Sequence, residues 1–130
     1  MKLLLDTHIF LWGFLEPGRL RKSSADELEN PDNELWLSPI SIWECLVLAD
    51  RRKIILDPNP ETWVRAAIKI LRPREAPVTT EVAFRSRTID LENEDPADRF
   101  IASTAAVFEL VLVTADDRLL DCDGFQTLRG

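Results

Sequence analysis

The stretch DPADRFIASTAAVFELVLVTADD, residues 95–117, decides the fold. Asp95 is a favoured N-cap residue, and Pro96 behind it suits the first helical position. Ala102 and Ala105 lie at i+4 and i+7 from Asp98, with Ile101 adjacent to that face. This small apolar face predicts a buried helix through about Phe108. LVLVT (110–114) then runs apolar without alternation, as a strand covered on both faces does.

The same alternation extends through the rest of the chain. KLLLD (2–6) is a short apolar strand, and THIFLWGFL after it is helical up to Pro17-Gly18. SSADELEN (23–30) carries a capping box, with Ser24 as N-cap and Glu27 three residues on. ELWLS (34–38) is a second strand, and Ser38-Pro39 opens a helix through about Arg52. Asn59-Pro60 repeats that start for ETWVRAAIKIL, APVT (76–79) is a short extended piece, and Thr79 caps TTEVAFRSRTI. GFQTL (124–128) is a further strand at an edge. Strands alternating with helices predict an α/β fold, a three-layer α/β/α sandwich with a mostly parallel central sheet. At 130 residues, 45% of them hydrophobic, the chain is expected to form a single domain over 1–130.

No apolar run approaches the roughly 20 residues of a membrane span. The opening MKLLLDTHIFLWGFLE has the outline of a signal peptide, but Asp6 and His8 interrupt it and no small-residue cleavage site follows. A cytoplasmic protein is expected, with Cys45 and Cys122 as reduced thiols. The net charge of -7 argues against a protein whose main task is coating nucleic acid. It leaves open acids gathered at a site with arginines gripping a phosphate backbone elsewhere. Arg19-Leu20-Arg21-Lys22, Arg51-Arg52-Lys53, Arg72-Pro73-Arg74 and Arg85-Ser86-Arg87 would supply such grips, or simply a solvated surface.

In open parallel sheets ligands bind beyond the carboxyl ends of the strands, where strand order reverses. Asp6 follows KLLL and Asp116 follows LVLVTA. Asp6 is open to two readings, a helix cap or a site residue. Glu44 shares its helical face with Ile40, Val47 and Leu48, and a carboxylate so placed needs a cation, an arginine or an open cleft. Asp98 suits the helix dipole, yet it stands on the buried face; Asp95 is accounted for as the cap. Asp116 and Asp117 could be turn residues bonding their own backbone.

Taken together, Asp6 and Asp116 from strand ends and Glu44 and Asp98 from the first turns of helices can converge at one sheet edge. Four such carboxylates repel unless cations neutralise them, and an all-oxygen ligand set suits Mg2+ or Mn2+. That chemistry serves phosphodiester hydrolysis by an activated water. His8 is expected to be a packed or hydrogen-bonded residue, and Trp12, Trp36, Trp43 and Trp63 to be core.

LLLDTH, SPISIWE, DPADRFIASTA and LVTADDRL, in that order, resemble the PIN-domain family, and more narrowly the VapC-type toxins of bacterial toxin–antitoxin pairs. The resemblance spans residue 3 to about residue 120. It implies an α/β/α sandwich whose acids bind Mg2+ or Mn2+ for endoribonuclease cleavage of RNA, leaving a 3′-hydroxyl and a 5′-phosphate. The family's acids fall on Asp6, Glu44, Asp98 and Asp116, and its Thr or Ser after the first acid falls on Thr7. IASTA stands where IAATA is commoner, and Asp95 and Asp117 double two of the acids as further possible ligands. The resemblance also implies a homodimer blocked by a cognate antitoxin protein, whose tail covers the site and whose other end binds operator DNA.

Two alternatives stand beside this reading. One is a non-catalytic RNA- or protein-binding module with a degenerate acidic site. The other is a phosphoaspartyl phosphotransferase using Asp6, although position 8 is His where that chemistry wants a second Asp, and the last lysine is Lys69.

Overall fold

The computed structural model describes residues 1–120 and 122–130. The chain runs β1 (Lys2–Leu5), α1 (Thr7–Leu15), a single 3-10 turn (Pro17–Arg19), α2 (Lys22–Glu29), β2 (Glu34–Leu37), α3 (Pro39–Asp50) and α4 (Pro60–Leu71). It continues with β3 (Arg74–Glu75), α5 (Thr80–Thr88), α6 (Pro96–Phe108), β4 (Val111–Thr114) and β5 (Gln126–Arg129). The strands form one sheet in the order β3-β2-β1-β4-β5, and every neighbouring pair is parallel. The α/β/α sandwich therefore holds, with a sheet that is parallel throughout.

Apolar residues on both faces explain the two central strands. Leu3 and Leu5 of β1 and Val113 of β4 belong to one core with Ile9 and Phe10 of α1 and Val64 and Ala67 of α4. Leu4 and Leu112 point the other way, onto Ile101, Ala102 and Ala105 of α6. The side-chain period of two divides each strand between these layers, so neither face tolerates a polar position until the strand ends.

Strand order places the site. From β1 the chain moves to β2 on one side, and β4 later adds on the other, so order reverses at the β1–β4 pair. Leu5 lies opposite Val113, and the Asp6 N–H donates to the Val113 carbonyl at 3.0 Å. The carboxyl ends of both central strands thus finish at one level.

The caps at Ser38, Asn59, Thr79 and Asp95 form as expected, each side chain accepting from a backbone N–H of its helix's first turn. Other expectations shift. No capping box forms at Ser24: α2 starts at Lys22 behind Arg21, which makes no side-chain cap. Ser24 is buried within that helix, and its hydroxyl donates to the Arg129 carbonyl of β5, while Glu27 accepts from Asn33 Nδ2 at 2.6 Å. These tertiary partners outcompete the local cap.

The extended piece expected at 76–79 lies earlier, at Arg74–Glu75. Ala76 adds one last bond to the sheet, N–H to Leu37 carbonyl at 2.9 Å, and Pro77 has no N–H to continue it. The last strand does lie at an edge, but as Gln126–Arg129 rather than 124–128, because Gly124 at φ 93° belongs to the turn. Among the tryptophans, Trp43 is 56% exposed, so it is not core.

Candidate active site

Asp6 is almost wholly buried and does two jobs for the fold. Its Oδ1 accepts from the Thr7 N–H at 2.8 Å, which caps α1. Its Oδ2 accepts from the Thr114 hydroxyl at 2.7 Å, across to the end of β4. Burial raises the proton affinity of Asp6, and these two donors oppose that rise. Thr7 turns its own hydroxyl to Glu44 Oε1 at 2.5 Å, which ties the start of α1 to α3. Glu44 lies a turn deeper in α3 than the first turn expected for it. Burial pushes its pKa up to about 7, opposed by the Thr7 bond and reinforced by Asp6, Asp98 and Asp95.

Asp98 stands in the first turn of α6 on its buried face. Asp95 bears the capping role alone, accepting from the Ala97 and Asp98 N–H groups at 2.9 and 3.2 Å. The Asp98 carboxylate is therefore left for the cleft, where Oδ2 accepts from Asn93 Nδ2 at 2.7 Å. Burial moves its pKa up to about 6, opposed by Asn93, with Asp6, Asp95 and Asp116 adding to the rise.

Asp116 differs. Arg118 donates from Nη2 to its Oδ2 at 2.7 Å and from Nε to both oxygens at 3.1 and 3.2 Å. These bonds hold the Asp116 carboxyl below its ordinary value. Arg118 Nη2 also reaches Asp98 Oδ2 at 3.4 Å.

Asp6, Glu44, Asp95, Asp98 and Asp116 line a single cleft of ≈ 420 Å3, with His8, Trp12, Arg19, Ala115 and Arg118 completing the wall. The four expected acids are thus brought together at the carboxyl edge of β1 and β4. Thr7 supports the site through Glu44, and Asp95 sits at its rim. Asp117 is not brought in: its side chain is 83% exposed and pairs with Arg129 at 2.8 Å. Of the four basic clusters only Arg19 lines the cleft, its guanidinium 4.2 Å above the Trp12 ring.

The donor set is oxygen-only, anionic and partly desolvated, which fits a hard divalent cation. Among the described residues no three His, Cys, Asp or Glu side chains close into a ready-made metal cage. An open set of carboxylates that leaves room for water fits Mg2+ or Mn2+ in the same way.

Four further residues shape this site without having been singled out in the sequence. Thr114 closes an apolar strand with a hydroxyl, a polarity break that marks it. Arg118 follows two acids, and the DDR run is its signal. Asn93 carried none. Arg99 is buried and donates to the carbonyls of Ser86, Leu91, Asn93 and Ile89 at 2.8, 2.6, 3.1 and 3.2 Å. It thereby fixes the loop that carries Asn93 to Asp98.

A parallel α/β/α sandwich with an acidic cleft at its switch point defines the class. Residues 3–124 match the sequence model of the PIN domain, and the chain belongs to that family. Ribonuclease VapC22 of Mycobacterium tuberculosis (strain ATCC 25618 / H37Rv) is 33% identical over 117 residues, 89% of this chain and 88% of the relative. Among solved structures, VapBC2 from Rickettsia felis bound to a DNA fragment from their promoter superposes with a TM-score of 0.76 at 18% identity, covering 98% of both chains. DNA-bound VapBC from Salmonella typhimurium gives 0.73 at 19% identity, covering 98% of this chain and 97% of that one. At those identities the structures establish the shared fold.

Proposed function

We propose that this chain is a Mg2+- or Mn2+-dependent endoribonuclease toxin of the VapC kind, hydrolysing RNA phosphodiester bonds to a 3′-hydroxyl and a 5′-phosphate. The observation that carries this reading is the convergence of Asp6, Glu44, Asp98 and Asp116 on one cleft at the carboxyl ends of β1 and β4. The ribonuclease relative supports the substrate class.

Asp6, Glu44 and Asp98 would hold one or two cations, with Asp116 completing or orienting the set. Such a cation lowers the pKa of water and offsets the charge that builds on a phosphate under attack. The chain's part is to hold its carboxylates ready: Thr114 and the Thr7 N–H lock Asp6, the Thr7 hydroxyl aims Glu44, and Asn93 aims Asp98. Glu44, pushed up to about 7, is the carboxyl from which cation binding at neutral pH would release a proton, whereas Asp98, at about 6, would release one in mildly acidic solution. A phosphoaspartyl role for Asp6 is poorly supported, because both its oxygens already accept hydrogen bonds and no lysine is among the residues lining the cleft.

The partner in this reading is a cognate antitoxin that also binds operator DNA, and the working form is a cytoplasmic homodimer. A second, apolar cleft of ≈ 340 Å3 supports the antitoxin: Ile9, Phe10 and Phe14 of α1, Leu28 of α2 and Ile70 of α4 line it. It could take the apolar face of a helix. Among the described residues no helix is long and apolar enough to cross a membrane.

The test is partner-free protein incubated with total RNA in Mg2+ or Mn2+, with EDTA controls and Asp98→Asn alongside. Cleavage that stops with EDTA and falls about 100-fold or more in Asp98→Asn is expected, the scale for losing one electrostatic group at a reacting centre. Folded wild type that leaves RNA intact in both cations would overturn the proposal.

A further inference from the structure

Arg118 is the one basic side chain among the described residues that is ion-paired with the acids of the cleft. It lies in the turn after β4, and its guanidinium spans carboxylates from two different elements. Nη2 sits 2.7 Å from Asp116 Oδ2 and 3.4 Å from Asp98 Oδ2, while Nε touches both Asp116 oxygens. The backbone N–H of the same residue donates to Asp116 Oδ1 at 2.9 Å, so the turn itself keeps the guanidinium beside its target. The side chain is nevertheless 62% exposed. It is anchored by its acids and by little else, and solvent offers it an open alternative.

The other arginines near the cleft behave differently. Arg99 is buried and spends its donors on four backbone carbonyls. Arg19 stacks on Trp12, and its ion pair is with Glu16 at 3.6 Å, outside the acid cluster. Of these arginines only Arg118 contacts carboxylate oxygens that a cation would need, sharing Asp98 Oδ2 with the neutral Asn93 amide. A guanidinium and a divalent cation cannot both sit on Asp98 Oδ2 and Asp116 Oδ2.

We propose that Arg118 is a built-in counter-ion: it holds Asp98 and Asp116 together in the cation-free protein and is displaced when a divalent cation takes their oxygens. This rests on the metal reading of the site given above. The chain thereby gains a folded cation-free state in which two repelling acids share one positive charge. It also gains a lowered affinity for the cation, since each binding event must first break the Arg118 contacts.

The test is a calorimetric titration of Mn2+ alone into cation-free full-length wild type, Arg118→Gln, Arg118→Lys and Arg19→Gln at one pH. Arg118→Gln is expected to bind Mn2+ about tenfold tighter than wild type, a change worth about 1.4 kcal/mol. Arg118→Lys, which keeps the charge but loses the two-pronged donor, should fall between them. Arg19→Gln removes the same charge from the same cleft wall without touching the acids, so its affinity should stay near that of wild type. Melting without cation should be lower for Arg118→Gln than for wild type, and saturating Mn2+ should close the gap.

Equal or weaker Mn2+ binding by Arg118→Gln would overturn the proposal, and so would an equal gain in Arg19→Gln, which would reduce the effect to bulk charge. If folded wild type and Arg118→Gln both bind no Mn2+, the metal reading itself fails and takes this inference with it. Wild-type binding without the Arg118 effect removes the inference alone.

Discussion

The Thr114 hydroxyl donates to Asp6 Oδ2 at 2.7 Å, joining the ends of two neighbouring parallel strands through a bond between buried side chains 108 residues apart in sequence. It supplies a donor to a buried carboxylate that lines the cleft. Thr114→Val keeps the shape and removes the donor. Leaving a buried carboxylate short of a partner costs about 1–3 kcal/mol, so thermal or urea unfolding should register that loss. RNA cleavage should also fall, because Asp6 then holds its proton more tightly. Unchanged stability would mean that the bond contributes nothing to the fold.

Arg99→Met tests the strut beneath Asn93. The variant keeps most of the side chain's length while leaving four carbonyls without their donor, and about 3 kcal/mol or more of stability should go with it. At a temperature where the variant is folded, cleavage should still be reduced, since the loop that aims Asp98 through Asn93 is released. Asn93→Ala should reproduce the activity loss with a much smaller change in melting, which a purely structural role for Arg99 does not predict.

Asp95 separates capping from ligation. Asp95→Ser retains a capping oxygen and should melt near wild type, whereas Asp95→Ala should lose about 1 kcal/mol. Cleavage should persist in both if Asp95 only starts α6. Loss of activity in a stable Asp95→Ser protein would make Asp95 part of the reacting site.

Stability of the cation-free protein should fall as pH rises from about 5 to about 7. Glu44 is raised from 4.5 to about 7 and Asp98 from 3.8 to about 6, so the folded chain holds protons that the unfolded chain has released. Where the folded state binds more protons, stability declines with rising pH. Asp116, held low by Arg118, works in the opposite sense, but its contribution is lost only below its ordinary value of 3.8, outside this window. Melting temperatures in EDTA at pH 5, 6 and 7.5 measure the slope, and Glu44→Gln should flatten it. A slope that is the same in Glu44→Gln and wild type would rule out Glu44 as its source.

Much of this was legible in the sequence because the central strands are unambiguous. LLL (3–5) and LVLV (110–113) have no polar residue on either face, which points to a doubly covered parallel strand, and the acids after them are then fixed in space. Glu44 was legible for the opposite reason, as a charge on an apolar helix face. The errors have different causes: Pro77 and Gly124 acted locally on the short strands, whereas elsewhere the tertiary setting decided the outcome. Ser24 looks like a cap in its own octapeptide, but Arg129 supplies its hydrogen bond from the other end of the chain. Trp43 looks like core by residue type, but its position on α3 faces outward. Asn93 was unreadable, since its role depends on a loop conformation that Arg99 imposes.

The bond between Asp6 and Thr114 also sets an order of events during synthesis. Asp6 is made 108 residues before Thr114, and its buried oxygen has no such partner until β4 exists and has paired with β1. At about 5–20 residues per second, roughly 5–20 seconds separate the two ends of that bond on the ribosome. The acidic cleft therefore cannot be complete before β4 and the turn after it have been made. Until then a nascent molecule carries Asp6 without a finished centre around it.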